Sequence, residues 1–476
     1  MRFTVDPWLR RWSARVLGGG SPWRLIRVSP AVASIVERAS AAGPSSAGVD
    51  LASAPVDAGS VDRRAVDVLT DRGILHPRPT PRGGPHDVTV VVPVLGRPAA
   101  LTRCLQSLSG LDVIVVDDAT PEPSPVRDVA RAAGARYLRL PVNQGPAAAR
   151  NAGAALASSA LVAFVDSDCR PPPGWLDRLV PFFDDPRVGA VAPRVVPDGA
   201  DPSTLSRFER ASSALDMGRH PALVRPGGRL GFVPSATLVC RRGLVQFDEA
   251  LRLGEDVDLV WRLADAGHHV RYEPTVAVRH DSLGSLGRWA ERRFEYGTST
   301  VDLHVRHPGR LAPVRASPWN LAVLALFGLG RPRAALATSA VAAGLLARRL
   351  RRQGIGGGVA ARAVGVGLVA DAIAVGHALR REYWPLGALA AVAAPRSRLA
   401  RVALGLMVAP VVAEWVRERP PIDPARYLGL RLLADGAYGT GVLASCRRHR
   451  TVAPLRPGRS SSVDTARLAA KRTKRA

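Results

Sequence analysis

Two acidic residues, Asp166 and Asp168, follow an apolar run of strand-like composition at residues 161–165. Residues i and i+2 of a strand point to the same side, so the end of this strand can direct both carboxylates at one point. Like charges that close repel each other unless a cation lies between them. Hard oxygen ligands suit Mg²⁺ or Mn²⁺, especially an ion that also binds phosphate. Because an isolated Asp-x-Asp is also common in ordinary turns after strands, its interpretation depends on the elements around it.

Alternating strands and helices precede and follow this motif. Apolar runs at 88–92, 113–116 and 137–140 predict strands, and the segments between them have helical periodicity. Strand–helix units of this length predict an α/β fold with a Rossmann-like, mainly parallel sheet and right-handed crossovers. Ligands of such sheets bind at the carboxyl ends of the strands. Five candidate residues fall at those ends: Pro93, Asp117, Asp118, Asp166 and Asp168.

The common phosphate-binding signatures are missing from the sequence. No G-x-G-x-x-G follows the first strand and no G-x-x-x-x-G-K-[ST] occurs anywhere, which disfavours a dinucleotide-dependent dehydrogenase and a P-loop NTPase. A nucleotide would instead be held by an acid at the end of the second strand and by the segment from Gly145 to Arg150. The planar guanidinium of Arg150 suits a diphosphate or a nucleobase, although the surface of a helix is an equally ordinary place for an arginine.

A series of short segments, in the order in which they occur, resembles the inverting glycosyltransferases of family 2, which have the GT-A fold. Four segments resemble the nucleotide-sugar half of that family: Val-Val-Val-Pro-Val-Leu-Gly-Arg-Pro at 90–98, Val-Val-Asp-Asp at 115–118, the Asn-Gln-Gly-Pro segment at 143–153 and Phe-Val-Asp-Ser-Asp at 164–168. Three further segments resemble its acceptor half: 236–242, 247–249 and 254–259. The resemblance covers residues 87–300.

For the donor, this resemblance implies a UDP-sugar. Pro93 and Arg97 would flank the nucleobase, and Asp117 or Asp118 would accept hydrogen bonds from uracil or ribose. The predicted nucleotide site consists of Pro93, Arg97, Asp117, Asp118, Gly145 and Arg150.

For the metal, the resemblance implies that Asp166 and Asp168 hold Mn²⁺ or Mg²⁺ against the diphosphate. The ion would neutralise charge that develops on the departing UDP. His280, which follows a predicted strand at 276–278, is a further candidate ligand of the ion or the diphosphate, and is equally well explained as a surface histidine.

An acidic pair, Glu255 and Asp256, begins a predicted helix. Acids in the first turn of a helix commonly do no more than compensate its dipole. In the family that the segments resemble, however, this is the position of the catalytic base. The resemblance implies that Asp256 takes the proton of the acceptor hydroxyl, with Glu255 as the second candidate. Direct displacement would then give a β-linked product from an α-linked UDP-sugar.

Residues 1–80 predict a small separate module that a proline-rich linker follows. The sequence suggests a winged-helix-like fold for this module, with a strand at 23–28, helices at 31–42 and 61–72, and an edge at 73–75. No catalytic constellation occurs there. The module is predicted either to pack against the transferase domain as an accessory or to recruit a substrate or peptide.

The order of domains along the whole chain resembles that of one group of proteins within this family. A small N-terminal module, a transferase domain at 87–305 with Phe-Glu-Tyr-Gly at 294–297, and an Ala- and Arg-rich C-terminal region resemble the mycofactocin-system glycosyltransferases of actinobacteria. The N-terminal module resembles the PqqD-like modules that recognise peptides. This resemblance implies UDP-glucose or another UDP-hexose as donor, a mycofactocin-type, peptide-derived acceptor, and repeated addition that gives an oligosaccharide.

The C-terminal third carries most of the charge. From Arg306 to the end the sequence has 29 Lys and Arg against 7 Asp and Glu, which is +22 of the net +26. Region 316–455 contains apolar stretches, but none reaches the ~18–20 unbroken apolar residues that span a bilayer, and Asp371 interrupts the longest. Membrane-associated helices at the cytoplasmic face are one interpretation, and an Ala-rich soluble helical domain is the other. Residues 456–476 are predicted to form a basic, disordered tail.

The same sequence patterns allow other functions and predict a location in the cell. A cell-envelope glycan or a polyprenyl phosphate is an alternative acceptor that the apolar C-terminal region would fit equally well. The basic charge also allows a nucleic-acid-binding protein, but no interleaved aromatic residues and no zinc or helix-turn-helix signature accompany it, so nucleic acid is not an expected partner. Four widely separated cysteines and the lack of a signal-peptide pattern predict a cytoplasmic setting.

Overall fold

The chain passes repeatedly between two structural units. A computed structural model describes residues 2–41, 49–50, 63–199, 201–281, 284–459 and 465–467. The first unit consists of Met1–Ala200, Ser212–Ser282 and Thr465–Ala476, and the second consists of Asp201–Ala211 and Leu283–Asp464.

The first unit begins with a small α/β module. Its elements are β1 Arg2–Val5, β2 Arg10–Ser13, β3 Val16–Gly19, β4 Arg24–Arg27, α1 Pro30–Ala41, β5 Val49–Asp50, α2 Arg63–Asp71 and β6 Leu75–Arg78. β1 pairs with β5 and β6, and β2, β3 and β4 form a second, antiparallel sheet. Leu17, Ile26, Ile35 and Leu69 are buried together in the core of the module.

The predicted strand and helices of this module correspond to β4, α1 and α2, although residues 61–62 of the second predicted helix lie outside the described residues. Strands β1, β2 and β3 were not predicted, because each has four residues and the Arg-Arg-Trp-Ser of β2 has no apolar alternation. Most of the predicted C-terminal tail also lies outside the described residues. Within it, Thr465–Arg467 form β18, which pairs in parallel with β4.

A large mixed sheet follows the module. Its strands are β7 Val88–Val94, β8 Asp112–Asp117, β9 Arg136–Arg139, β10 Leu161–Val165, β11 Cys169–Arg170, β12 Val188–Pro197, β13 Ala222–Val224, β14 Thr237–Arg241 and β15 His269–His280. The order is β11-β15-β12-β14-β10-β7-β8-β9, with β13 paired to β15. Strands β9, β8, β7 and β10 are parallel, as predicted. β14 is antiparallel to both β10 and β12, whereas β12 and β15 pair in parallel, so the sheet is mixed in this half. Strand direction depends on the path of the connection, which a local apolar pattern does not encode.

Helices pack on this sheet and begin at the ends of its strands. They are α3 Pro98–Ser107, α4 Pro123–Ala132, α5 Pro146–Leu156, α6 Trp175–Leu179 and α8 Glu255–Asp265, and 3₁₀ turns lie at Val180–Asp184 and Arg242–Leu244. Helix α7, Thr204–Ser212, lies almost entirely in the second unit. Helices α3, α4 and α5 each start with proline, whose fixed φ suits a first helical turn and whose missing N–H has no partner to lose there. The side chains of Val90, Val92, Val115 and Ala163 are fully buried in the core.

The second unit is mostly helical. It contains α9 Leu286–Thr298, α10 Thr300–Arg306, β16 Arg315–Ala316, α11 Pro318–Gly328, α12 Pro332–Arg351, α13 Gly358–Arg380, α14 Trp384–Ala393, α15 Arg398–Glu418, α16 Pro424–Arg448, a 3₁₀ turn at Ala453–Leu455 and β17 Gly458–Arg459. Phe208 of α7, Trp289 of α9 and Tyr427 of α16 are buried in one cluster, in which the ring centroid of Phe208 lies 5.8 Å from that of Trp289 and 5.2 Å from that of Tyr427. This aromatic cluster makes α7 part of the second unit.

Two helices of the second unit, α13 and α15, are long and apolar. They have 23 and 21 residues, a mean hydropathy of 1.7, and only 17% of each apolar window is buried. Their length and composition are enough to cross a membrane, a criterion that the core helices of soluble proteins can also meet. Asp371 breaks the run of apolar residues in the sequence, but it does not end the helix, because α13 continues through it. Asp371 is buried, and its carboxylate accepts hydrogen bonds from the Ser317 N–H and the Asn320 amide.

Helices α9 and α16 approach so closely that Gly441 has no room for a side chain. A Cβ at this position would lie 2.0 Å from the carbonyl oxygen of Phe294. We expect Gly441→Ala to lower the free energy of unfolding by about 1–3 kcal/mol, because an extra methyl group would force two backbones apart. Chemical denaturation of the purified chain measures this change.

Gly436→Ala in the same helix is the matched control, since no atom lies within 4 Å of its added Cβ. There the substitution should stabilise the protein by up to ~1 kcal/mol through helix propensity. Equal stability of the two variants would show that the contact between α9 and α16 is not tight.

Candidate active site

The loop after β10 carries Asp166 and Asp168, and short strand pairing holds it in place. β11 follows the loop directly and pairs antiparallel with the end of β15, which sets Cys169 opposite His280. The N–H of Asp281 donates to the carbonyl oxygen of Asp168 at 3.0 Å. As a result, Nε2 of His280 lies 3.4 Å from Oδ1 of Asp168. The structure therefore brings two of the three predicted metal ligands into contact.

Arg150 of α5 joins the end of β10 to the start of α8. Its side chain is only 4% exposed. Nη2 donates to Oδ1 of Asp166 and Nη1 donates to Oε1 of Glu255, both at 2.8 Å. Burial alone would lower the pKa of Arg150, but the two carboxylates outweigh it and raise that pKa, so the guanidinium stays charged. Arg150, which the sequence predicts to contact the nucleotide, is here a buried bridge between the two acidic motifs.

Asp256 lies in the first turn of α8 and is mostly buried. Its Oδ2 accepts a hydrogen bond from the N–H of Ser235 at 3.3 Å, and Oδ1 accepts one from the N–H of Val257 at 2.8 Å. Burial and the neighbouring carboxylate of Glu255 raise the pKa of Asp256 to about 7. A group with a pKa near neutrality can both take up and release a proton during turnover, as a general base must. Because Arg150 pairs with Glu255, Asp256 is the member of the acidic pair that suits this role.

Arg97 lies beside the acidic motif that follows β10. It precedes α3 in a left-handed conformation with φ of 58°, which is uncommon for a residue that has a Cβ. Its Nη1 donates to Oδ2 of Asp168 at 2.9 Å, and 53% of its side chain is exposed. Pro93 lies in β7, opposite Val116 of β8. Of these two predicted nucleotide residues, Arg97 thus contacts the predicted metal ligand Asp168.

The carboxylate of Asp117 is fully buried and engaged by the protein. Oδ2 accepts from the Tyr137 hydroxyl at 2.6 Å and from Nη1 of Arg139 at 2.7 Å, and Oδ1 accepts from the N–H of Thr120 at 2.9 Å. Tyr137 and Arg139 alternate along β9, and sequence reasoning did not connect them with Asp117. A nucleotide that used Asp117 would have to share these contacts.

Asp118 shapes the loop before α5. Its two carboxylate oxygens accept hydrogen bonds from the N–H groups of Gln144 and Gly145, at 2.7 and 2.8 Å. Gly145 has φ of 93°, a conformation that favours glycine, and Pro146 then starts the helix. Asp118 therefore fixes where α5 begins, and so where Arg150 lies.

Two arginines near the acidic motif were missed by sequence reasoning. Arg103 Nη2 donates to Oδ2 of Asp281 at 2.6 Å, and Arg170 Nη2 donates to Oδ1 of the same residue at 3.1 Å. A signal was available, because Arg170 follows the Asp-x-Asp closely and Asp281 directly follows His280. The carboxylates at and near the end of β10 are thus each paired with at least one arginine.

In the part of the chain that the structure describes, no three His, Cys, Asp or Glu side chains lie close enough together to hold a metal ion. Asp166 and Asp168 are instead paired with Arg150 and Arg97. The contact between Asp168 and His280 offers an oxygen and a nitrogen donor, and Mn²⁺ accepts both kinds of ligand.

Comparisons with known proteins identify the family of this chain. Residues 89–245 match the sequence profile of glycosyl transferase family 2. The chain therefore contains a glycosyltransferase domain of the family that its sequence motifs resemble. The predicted fold class is likewise confirmed: an α/β transferase domain of GT-A type with an α-helical C-terminal region, although its sheet is mixed.

The chain is 38% identical over 465 residues to the pre-mycofactocin glycosyltransferase of two Mycobacterium tuberculosis strains, with 93% of this chain and 95% of the relative covered. It is 25% identical over 232 residues to glycosyltransferase AglE of Haloferax volcanii, with 45% and 73% covered. Mannosyltransferase PcManGT from Pyrobaculum calidifontis, solved with GDP-Man and Mn²⁺, is 22% identical over 56% of this chain and 77% of that chain, with a TM-score of 0.37, which is too low to support an inference. The chain therefore belongs to the family of the pre-mycofactocin glycosyltransferases.

The raised pKa of Asp256 predicts how stability depends on pH. An acid whose pKa is higher in the folded state than in the unfolded state destabilises the fold as pH rises from the unfolded pKa towards about 7. We therefore expect Asp256→Asn to raise the thermal unfolding midpoint at pH 8 and to leave it nearly unchanged at pH 4, as measured by calorimetry. Asp128→Asn, at an exposed carboxylate, is the control and should have no effect at either pH. A lower midpoint for Asp256→Asn at pH 8 would contradict the assignment.

Proposed function

We propose that this chain transfers glucose, or another hexose, from a UDP-sugar to a mycofactocin-type, peptide-derived acceptor, with inversion at the anomeric carbon. The observation that carries the proposal is the 38% identity, sustained over 93% of the chain, to a protein named a pre-mycofactocin glycosyltransferase. The arrangement of charged side chains in the candidate active site also supports the proposal. A carboxylate suited to act as a base neighbours Glu255, and Glu255 is linked through Arg150 to the acidic motif after β10.

In the proposed reaction, Asp256 takes the proton of an acceptor hydroxyl as the hydroxyl oxygen attacks C1 of the sugar. The new O–C1 bond forms while the bond from C1 to the UDP oxygen breaks, and UDP leaves with the bonding electron pair. Attack opposite the leaving group turns an α-linked donor into a β-linked product. Hydrogen bonds from the N–H groups of Ser235 and Val257 orient the carboxylate for this step. Repeated cycles would build an oligosaccharide.

Asp166, Asp168 and His280 are the proposed ligands of a divalent cation, Mn²⁺ or Mg²⁺. Two carboxylates and an imidazole fit Mn²⁺ in donor chemistry, and the contact between Asp168 and His280 supports the set. When bound, such an ion would stabilise the negative charge of the departing diphosphate. Arg97 is half exposed and free to turn away from Asp168, whereas Arg150 is buried and is expected to remain with Asp166.

The UDP moiety is proposed to lie at the carboxyl ends of β7 and β8, where Pro93 and Arg97 are candidates to flank the uracil. Asp117 would contribute through a network that already includes Tyr137 and Arg139. Asp118 and Gly145 would act by holding the loop before α5 in place, as their hydrogen bond supports.

The proposed domains are an accessory PqqD-like module at 1–80, a transferase domain at 87–305, a helical region at 316–455 and a basic tail at 456–476. We further propose that the helical region associates with a membrane at its cytoplasmic face. The length and hydropathy of α13 and α15 support this, together with the excess of Arg in this region.

Mass spectrometry tests the activity directly. The full chain, incubated with Mn²⁺, UDP-glucose and a mycofactocin precursor, should add one or more hexose masses to the precursor. Asp256→Asn should lower the rate by at least ~100-fold, since a general base contributes about 10²–10⁴-fold to such reactions. Asp128→Asn should keep the full rate. Calorimetry of Asp256→Asn, as described above, shows whether this variant is folded, and so whether a lower rate reflects loss of the base or loss of the fold.

Three outcomes would change the assignment. Hexose transfer to a polyprenyl phosphate, with none to the mycofactocin precursor, would reject the acceptor and keep the transferase. No transfer to any acceptor would reject the transferase, and full activity of Asp256→Asn would reject the base.

Flotation with anionic phospholipid vesicles tests the membrane proposal. Val366, Val369 and Ile373 lie along α13 and are exposed. We expect the full chain to float with the vesicles, and a triple substitution of these residues by serine to reduce the bound fraction several-fold. Serine at Val142 and Leu156, which are exposed apolar residues of the first unit, is the control and should not change flotation. Equal flotation of the two variants would exclude α13 from the membrane contact.

A further inference from the structure

Two short segments of the second unit, 331–333 and 396–401, are rich in arginine. No Asp or Glu occurs in the surrounding sequence, at 303–370 or at 383–413. The two segments contain five arginines, and all five are exposed: Arg331, Arg333, Arg396, Arg398 and Arg401. These five residues are called the arginine cluster below.

Contacts between the turn after α11 and the start of α15 bring the two segments together. The chain turns at Gly330, just before the first segment, and a Cβ added there would lie 3.4 Å from Nη1 of Arg398. The guanidinium carbon of Arg398 also lies 5.7 Å from the ring centroid of Phe327 in α11. Nη1 of Arg401 donates to the carbonyl oxygen of Ala394 at 3.2 Å, so the turn before α15 belongs to the same surface.

No acid in the described part of the chain neutralises this charge. None of the five arginines forms an ion pair with an Asp or Glu among the described residues. The contacts of Arg398 and Arg401 are with an aromatic ring and with carbonyl groups, which carry no net charge. Like charges on neighbouring segments repel one another and attract anions. The arginine cluster is therefore a surface that suits an anionic partner.

Exposed apolar side chains accompany the arginine cluster. Phe327 and Leu399 are each 48% exposed, and Leu329 is 63% exposed. They belong to the same contact, since a Cβ added to Gly328 would lie 2.5 Å from Cδ1 of Leu399. Arginines beside exposed Phe and Leu are typical of surfaces that lie in a membrane interface, where headgroups bind the charges and acyl chains cover the apolar side chains. A nucleic acid or a free phosphate would leave these apolar side chains uncovered.

The arginine cluster also includes the first turn of α15, one of the two helices that are long and apolar enough to cross a membrane. Basic residues at the end of such a helix are attracted to the anionic lipids of the cytoplasmic leaflet. We propose that the arginine cluster binds the anionic headgroups of a phospholipid bilayer, with Phe327, Leu329 and Leu399 in the bilayer interface. This inference rests on the membrane association proposed above, and it adds the class of lipid and the part of the helical region that contacts it.

Flotation of the full chain with vesicles of phosphatidylcholine, alone or mixed with phosphatidylglycerol, tests the proposal. We expect the anionic vesicles to be bound at least ~tenfold more tightly than the neutral ones, and high salt to abolish the difference. The triple substitution Arg331→Gln, Arg333→Gln and Arg396→Gln should remove most of this preference and leave binding to neutral vesicles unchanged.

Three exposed arginines at the other end of α12 provide a control with the same change in net charge. Arg348, Arg351 and Arg352 lie roughly 20–30 Å from Arg333 along the helix, as its rise per residue gives. Their joint substitution by glutamine should leave most of the preference for anionic vesicles in place, because charges beyond a Debye length are largely screened.

The outcomes separate this proposal from membrane association itself. Equal binding of the two vesicle types, or an equal loss in the two triple variants, would reject the arginine cluster and leave membrane association intact. Displacement of the vesicles by glycerol phosphate or by a DNA duplex would also reject it, because a soluble phosphate would then suffice. No binding of the unchanged chain to either vesicle type would reject membrane association and the arginine cluster together. If the first triple variant fails to fold, Arg333→Glu decides, and it should weaken binding to anionic vesicles several-fold.

Discussion

The double ion pair of Arg150 is the interaction on which the candidate active site depends. A fully buried guanidinium between two carboxylates is stable only while both partners are present, and removing one typically costs about 3–5 kcal/mol. Replacing the whole set by apolar residues would cost little, so the ion pairs are better explained by position than by stability. Arg150 ties Asp166, at the end of β10, to Glu255, at the start of α8. The carboxylate that could act as base and the carboxylates that could hold a cation are thereby fixed relative to each other.

A chain of local contacts supports this bridge. Asp118 holds the N–H groups that precede α5, and the start of α5 sets the position of Arg150. On the other side, the two-residue strand β11 fixes the loop against the end of β15 and brings His280 to Asp168. Each contact joins segments that lie far apart in the sequence. The mixed sheet is what makes this possible, because β14 and β15 bring the second half of the transferase domain beside the first.

Much of this could be predicted from the sequence. The strands and helices from β7 to β10, the acidic motif and the acidic pair all have local patterns, and the family resemblance is confirmed by a relative that aligns along nearly the whole chain. The hydrogen-bond and ion-pair partners of the site residues could not be predicted. Nothing in the local sequence shows that Arg150 pairs with Glu255, or that Tyr137 and Arg139 occupy Asp117, because these contacts depend on the packing of separate elements. For a similar reason, the sequence does not show that α13 continues through Asp371, whose carboxylate is satisfied inside the structure by Asn320.

The aromatic cluster of the second unit has a consequence for how this protein is made. Phe208 is synthesised before Trp289 and Tyr427, and most of the chain on either side of its segment, 201–211, belongs to the first unit. The partners of Phe208 in this cluster are therefore absent until the C-terminal helices have been synthesised. Truncation between the two units would remove these partners, so neither unit can be obtained intact as one continuous fragment. Attempts to dissect this enzyme genetically would have to move α7 together with the helices that it packs against.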